Sequence, residues 1–227
     1  MTELVLRLRA APAFRLDLSL LTPERLAGQT ADAVARLPLA YGRRSVPVGE
    51  WFDVRGTAGP RILIEGDGVR LDRIGAGMQD GQIRVEGGAG AYLGIGMRGG
   101  VVIVGGRVGD RAGDHMRRGL ILAEGACGDY CGSRMQGGTI ATLGACGARP
   151  GFAMRRGSLV FAGPPPSPGP TFNDAGELPL GFLVLLARSW KELPSRFASL
   201  SRPSIRVRRW VGDLAFAGQG ELIHWPA

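Results

Sequence analysis

A methionine recurs every 19 residues through the middle of this chain, at Met78, Met97, Met116, Met135 and Met154. Gly81, Gly100, Gly119, Gly138 and Gly157 keep the same step. So do Gly87, Gly106, Gly125, Gly144 and Gly163, and Gly75, Gly94, Gly113, Gly132 and Gly151, with Gly90, Gly109, Gly128 and Gly147 as a fourth column. A constant short period without insertion means one structural unit stacked on itself.

Each copy carries an apolar pair two residues apart: Ile83/Val85, Val102/Val104, Ile121/Ala123, Ile140/Thr142 and Leu159/Phe161. A spacing of two is strand periodicity. Glycines at fixed corners supply the positive φ that turns need. Stacked copies would place each strand about 4.8 Å above its predecessor. The expected fold is mainly β: a right-handed β-helix or β-solenoid with 19-residue coils. A partial earlier coil is expected from Ile64 and Gly68, one period before Ile83 and Gly87. Because each coil is stable only against neighbours, small irregular α/β caps are expected at both ends.

The expected organisation is an N-terminal cap over 1–60, the solenoid over 61–163, a proline-rich connection over 164–176 and a C-terminal cap over 177–227. In the first cap, Leu4–Leu8 and Phe14–Leu18 alternate like two strands with Ala11-Pro12 as a turn between them. Thr22-Pro23-Glu24 reads as a helix start. One or two short helices follow to about Arg36, broken by Gly28 and Pro38, and Gly49 to Val54 leads back to a strand. Pro164-Pro165-Pro166 opens an extended connection. Leu178 to Trp190 is apolar, with helix and strand both open, and Ile205-Arg206-Val207-Arg208 alternates like a strand.

Glycine accounts for 38 of 227 residues, yet the strict period and the apolar columns oppose disorder. The N-terminus shows no signal-peptide pattern. The longest apolar run, Phe182 to Ala187, is too short to span a bilayer. A cytoplasmic protein without a membrane partner is the expectation. The three cysteines form no disulfide framework. Cys127 and Cys146 are one period apart, in a column with Ala89 and Val108; Cys131 shares a column with Leu93 and Ala112. All three are expected as free thiols packed like small hydrophobes. Cys127, Cys131 and His115 lack metal-ligand spacing, so no metal is expected.

The outward strand positions are Gln82 and Arg84 in the first coil, then Val101/Ile103 and Leu120/Leu122. Apolar residues on both strand faces require cover on both. The cover is either the chain's own C-terminal segment or a partner, which makes these four candidate interface residues. The net charge is +8, and Lys191 is the sole lysine. Arg98, Arg117 and Arg155 follow repeat methionines, with Arg118 and Arg156 in the next column. Stacked guanidiniums repel unless an anion or acidic partner neutralises them. Nucleic acid is not expected, since no recognised motif occurs and the aromatics do not interleave with these basic columns. No catalytic residue is assigned. Gly75-Ala76-Gly77 lacks the third glycine and the context of a dinucleotide loop. His115 and His224 lack a nucleophile partner. Asp67, Asp72, Asp80, Asp110, Asp114 and Asp129 are expected to hold turns.

Three segments carry a resemblance: Ile74-Gly75-Ala76-Gly77-Met78, Gly81-Gln82-Ile83-Arg84-Val85-Glu86-Gly87 and Met97-Arg98-Gly99-Gly100-Val101-Val102-Ile103-Val104-Gly105-Gly106. They resemble the GXGXG solenoid shared by the C subunit of formylmethanofuran dehydrogenase and the C-terminal domain of the glutamate synthase large subunit. The flanks Asp53-Val54-Arg55-Gly56, Arg209-Trp210-Val211-Gly212-Asp213 and Gly218-Gln219-Gly220-Glu221-Leu222 are similar to the former. The arginine-rich composition favours the bacterial branch, the C subunit of the formyltransferase/hydrolase complex. The resemblance implies a structural subunit in one-carbon metabolism and methylotrophy. Its complex moves a formyl group from a tetrahydromethanopterin carrier to a methanofuran-type carrier and releases formate. It implies A, B and D subunits as partners, zinc in the A subunit, and no cofactor on this chain. The carrier's polyglutamyl chain would suit Arg98, Arg117, Arg118, Arg155 and Arg156. The alternatives are the C subunit of a molybdenum or tungsten dehydrogenase, a glutamate synthase-type spacer, and a β-helix acyltransferase. That last fold wants an 18-residue coil and a catalytic histidine, against a 19-residue period and a solitary His115.

Overall fold

The computed structural model describes residues 3–163, 167–199 and 206–225. The fold is mainly β, with two sheets. The larger is built from β1 (Glu3–Leu8), β5 (Phe52–Gly56), β6 (Arg61–Glu65), β8 (Gln82–Val85), β9 (Arg98–Val104), β10 (Arg118–Ala123), β11 (Gln136–Thr142), β12 (Arg156–Phe161), β13 (Asn173–Pro179), β14 (Arg206–Gly212) and β15 (Gly220–His224). The smaller comprises β2 (Leu16–Asp17), β3 (Pro38–Tyr41), β4 (Arg44–Pro47) and β7 (Leu71–Asp72). The large sheet is mixed, in the order β13-β14-β15-β12-β11-β10-β9-β8-β6-β1-β5.

From β8 to β12 every neighbour pair is parallel, and the register equals the sequence period. Ile83 pairs with Val102, Val102 with Ile121, Ile121 with Ile140, and Ile140 with Leu159. A second column of single parallel bridges runs Ala89, Val108, Cys127, Cys146. The inner strand residues Ile83, Val85, Val102, Val104, Ile121, Ala123, Leu159 and Phe161 are all buried. The one polar member, Thr142, is buried as well, and its hydroxyl donates to the Gly125 carbonyl at 2.9 Å. The methionine and glycine columns have one joint cause. The methyl of each methionine packs where a side chain of the next copy's glycine would stand: Met78 under Gly100, Met97 under Gly119, Met116 under Gly138, Met135 under Gly157. Gly119 sits at φ +104, and a Cβ there would lie 2.8 Å from the Met97 methyl and 2.9 Å from the Gly100 carbonyl oxygen.

Both ends extend the same sheet. β15 continues the stack in parallel on β12, with Leu159 opposite Leu222, and β14 and β13 follow antiparallel. At the other end β1 pairs in parallel with β6 and antiparallel with β5. Among the described residues no helix is long and apolar enough to cross a membrane.

Several expectations are corrected. The first two strand runs do not form a hairpin: β1 joins the large sheet, while β2 pairs with β3 and β7. Ile64 stacks on Val85, not Ile83, because the first copy carries two extra residues. The offset is 21 at Gly68↔Ala89 and returns to 19 where the Ala91 amide donates to Asp72. Val69 and Arg70 take up the difference in a turn closed by a 2.8 Å bond from the Leu71 amide to the Gly68 carbonyl. The helix start at Thr22-Pro23 is present as α1 (Pro23–Leu26), but the Thr22 hydroxyl accepts no cap bond. In α2 (Ala31–Ala35) Thr30 caps the Ala33 amide. Gly49 lies in α3 (Val48–Trp51), ahead of β5. The apolar run after Leu178 resolves into the end of β13 and then α4 (Phe182–Trp190). Residues 164–166 and Ile205 lie outside the described residues; Arg206–Arg208 are strand.

Candidate functional site

Strands β9, β10 and β12 enter through irregular rungs at their basic residues. The amides of Arg117 and Arg118 both donate to the Met97 carbonyl, and those of Arg155 and Arg156 to the Met135 carbonyl. Two donors on one carbonyl opposite a register shift is the pattern of a β-bulge, which bends an edge and re-aims its side chains. The shift changes the expected ladder. Arg98 lies across from Arg118 rather than Arg117, and Arg156 across from Gln136. Arg98, Arg117, Arg118, Arg155 and Arg156 are all exposed. Among the described residues none of the five guanidiniums has a hydrogen-bonded or ion-pair partner. Two such charges about 5 Å apart in water repel by about 1 kcal/mol. The structure thus brings the five arginines to one edge, unneutralised.

The candidate interface residues fall differently. Ile103 and Leu122 are buried in a second core with Ala141, Val160 and Ile223. The cover is this chain's own C-terminal segment: Leu183, Ala187 and Trp190 of α4, with Phe197 and Trp225. Those three α4 residues lie on one helical face. Ile103 and Leu122 are therefore unavailable to a partner, while Val101 and Leu120 are only partly buried beside them.

Another basic column was missed in the sequence. Arg73, Tyr92, Arg111, Tyr130 and Arg149 recur at the repeat period and alternate arginine with tyrosine. It is a different column from those of Arg98 to Arg156, which hold no aromatic residue. The rings are engaged within the chain: Arg73 lies 5.9 Å from the Tyr92 centroid, and Arg111 and Arg149 lie 4.8 Å and 5.8 Å from that of Tyr130. The Arg149 guanidinium also donates to the Tyr130 hydroxyl at 3.0 Å. Alternation keeps the guanidiniums two rungs apart and puts a π-face between them.

The aspartates join copies rather than closing their own turns. Asp67, Asp72, Asp110 and Asp129 accept from the amides of Gly88, Ala91, Asp129 and Ala148 in the following copy. Asp80 alone accepts locally, from the Gly81 amide. Asp114 is buried and accepts from the Ser133 hydroxyl at 2.6 Å and from two nitrogens of Arg134 at 3.1 and 3.0 Å, with His115 Nδ1 at 3.2 Å. The sequence signal for this cluster was polar residues at 114 and 133 in a column otherwise filled by Ala76, Ile95 and Phe152. Asp114→Ala leaves a buried hydroxyl and a guanidinium without their acceptor and should cost about 2–3 kcal/mol in urea unfolding. Asp114→Asn, which keeps one acceptor, should cost less.

The three thiols are free, with Cys127 and Cys131 buried and Cys146 half-buried. The hydrogen bond from Cys131 holds the Cys127 thiol below its ordinary range, and the same contact, with Cys146 and burial, pushes Cys131 well above it. Among the described residues no group of three or more His, Cys, Asp or Glu is arranged to hold a metal ion.

The fold and its edges define a repeat-built β protein with a charged edge, and comparison supplies the family. No protein-family model matches the chain. It is 34% identical over 98 residues to the C subunit of the molybdenum-containing formylmethanofuran dehydrogenase 1 of Methanosarcina barkeri, covering 41% of this chain and 33% of that protein. It is 38% identical over 88 residues to the C subunit of the formyltransferase/hydrolase complex Fhc of Methylorubrum extorquens, covering 39% and 33%. The matched stretch thus spans about a third of the length of these curated relatives. A chain in the crystal structure of the Methylorubrum extorquens formyltransferase/hydrolase complex FhcABCD with methylofuran is similar throughout. The likeness has a TM-score of 0.58 and 36% identity, over 98% of this chain and 99% of that one. The chain belongs to the family of formylmethanofuran dehydrogenase C subunits.

Proposed function

We propose that this chain is the non-catalytic C subunit of a formyltransferase/hydrolase complex of one-carbon metabolism. In that complex a formyl group passes from tetrahydromethanopterin to a methanofuran-type carrier and leaves as formate. The observation that carries this reading is the end-to-end likeness to a chain of FhcABCD. The partners are the A, B and D subunits, with zinc chemistry in the A subunit, and the compartment is the cytoplasm. In this reading the stacked copies wind as a right-handed β-helix of 19-residue coils. The parallel one-period register and the second bridge column support that winding. The rigid stack scaffolds its partners, and the exposed arginine edge contacts the carrier's polyglutamyl chain.

Affinity purification of the tagged chain from its native host, with mass spectrometry of the eluate, tests the assignment. Co-elution of an amidohydrolase-like and a formyltransferase subunit is the expected result. A molybdenum or tungsten subunit in their place would move the chain to the redox dehydrogenase, and elution alone would contradict the assignment. Paired replacement of Arg117→Gln and Arg118→Gln should weaken carrier retention by the assembled complex roughly tenfold, at about 0.7 kcal/mol per lost charge contact. It should also flatten the dependence of retention on salt, since fewer charges are neutralised on binding. Carrier retention and salt slope equal to those of the unmodified complex would exclude this edge.

A further inference from the structure

The aspartate column is interrupted at one rung. At the position held by Asp72, Asp110 and Asp129, the second copy has Ala91. In the other rungs the carboxylate sits beneath the next copy's glycine. A Cβ on Gly90, Gly128 or Gly147 would stand 2.2, 2.2 or 2.3 Å from the oxygen of Asp72, Asp110 or Asp129. The nearest neighbours of a Cβ on Gly109 are backbone atoms of Gly90 and Ala91 alone. The missing carboxylate has a consequence for the chain above. The amides of Ala91, Asp129 and Ala148 each donate to the preceding aspartate, whereas the Asp110 amide finds no acceptor among the described residues.

A cavity of about 360 Å³ opens at this rung, lined by Gly109, Asp110, Ala89, Val69, Arg15, Arg70 and Arg107. Arg70 is brought there by the two-residue insertion of the first copy, and it is braced by the carbonyls of Pro12 and Ala13. Arg15 is held by Asp72 at 2.7 Å. The Arg107 guanidinium has no acid partner among the described residues. The Asp110 carboxylate is occupied by the Asp129 amide at 2.9 Å. Arg15, Arg70 and Arg107 thus line a cavity with Gly109 and Asp110, beside the rung that lacks the carboxylate present in three others.

We propose that this niche binds an oxyanion, carboxylate or phosphate, on the Asp110 amide, with Arg107 and Arg70 closing over it. A small phosphate and the side chain of an acidic polypeptide share this chemistry. Charge-assisted hydrogen bonds of this kind are about twice as strong as neutral ones. The inference concerns the corner of the stack that carries Asp72 and Asp110, not the strand-entry edge of Arg98 to Arg156, and holds whichever complex the chain joins.

The test is calorimetric titration of the full chain at constant ionic strength, with inorganic phosphate and with triglutamate as separate probes. The unmodified chain should bind at least one; tighter triglutamate marks an acidic polypeptide as the source, tighter phosphate a small anion. Arg107→Gln should weaken binding roughly tenfold. Ala91→Asp should abolish it without lowering the melting temperature, because the new carboxylate takes the Asp110 amide as Asp72 takes that of Ala91. Should Ala91→Asp fail to fold, Arg107→Gln decides alone. The proposal is overturned if the unmodified chain binds neither probe, or if a folded variant binds as tightly as the unmodified chain.

Discussion

Gly119→Ala should destabilise the chain by about 3 kcal/mol or more, through positive-φ strain and a close approach to backbone that has nowhere to go. For a chain of this length that lowers the melting temperature by about 6–12 °C. The cause is specific. Gly119 lies at φ +104, outside the small left-handed region open to other residues, and its missing Cβ faces the Gly100 carbonyl oxygen at 2.9 Å and the Met97 methyl at 2.8 Å. Gly96 supplies the contrast. It sits at φ +63 with nothing within 4 Å of a Cβ. Its column already holds His115, Arg134 and Ala153 at φ 55, 54 and 57. Gly96→Ala should therefore cost only about 1–2 kcal/mol, the left-handed conformational term alone. Thermal melts of the two variants check the pair; equal losses would mean that the glycines mark turns in general and not the seat of a methionine.

Trp190→Ala should cost about 3–5 kcal/mol, the range for emptying a large buried aromatic site. Trp190 has no exposed surface and packs against Phe197 and Trp225 at ring separations of 5.1 and 5.6 Å. Its loss should release α4 and leave Ile103, Leu122 and Val160 open to solvent. Hydrogen exchange should then accelerate over residues 182–199, while the inner strands keep their protection. Unchanged stability of the isolated variant would mean that something other than this segment covers the outer face.

These results separate what the sequence made legible from what it did not. Strand positions, inner columns and the one-period register follow from alternation plus repetition, because both are local and recur. Cover of the outer face did not follow. Val101, Ile103, Leu120 and Leu122 announce that something lies over them, but a distant helix of the same chain and a partner protein leave the same trace in those residues. The arginine edge was visible as a column, yet its bulges re-register Arg98 against Arg118, a backbone effect that side-chain spacing does not encode. The two-residue insertion at Val69-Arg70 was hidden because Ile62 and Ile64 are both apolar, so two registers fit the pattern equally well. The alternating Arg73–Arg149 column and the break at Ala91 were readable in principle. Each appears when columns are compared for what they lack, not only for what they share.

The fold requires each copy to rest upon the one before it. Methyl-labelled methionine and a proton NOE spectrum of the full chain test that most directly. The methyl of Met97 should show a cross-peak to the α-protons of Gly119, and Met78, Met116 and Met135 to those of Gly100, Gly138 and Gly157. Cross-peaks confined to glycines of the methionine's own copy would contradict the stack.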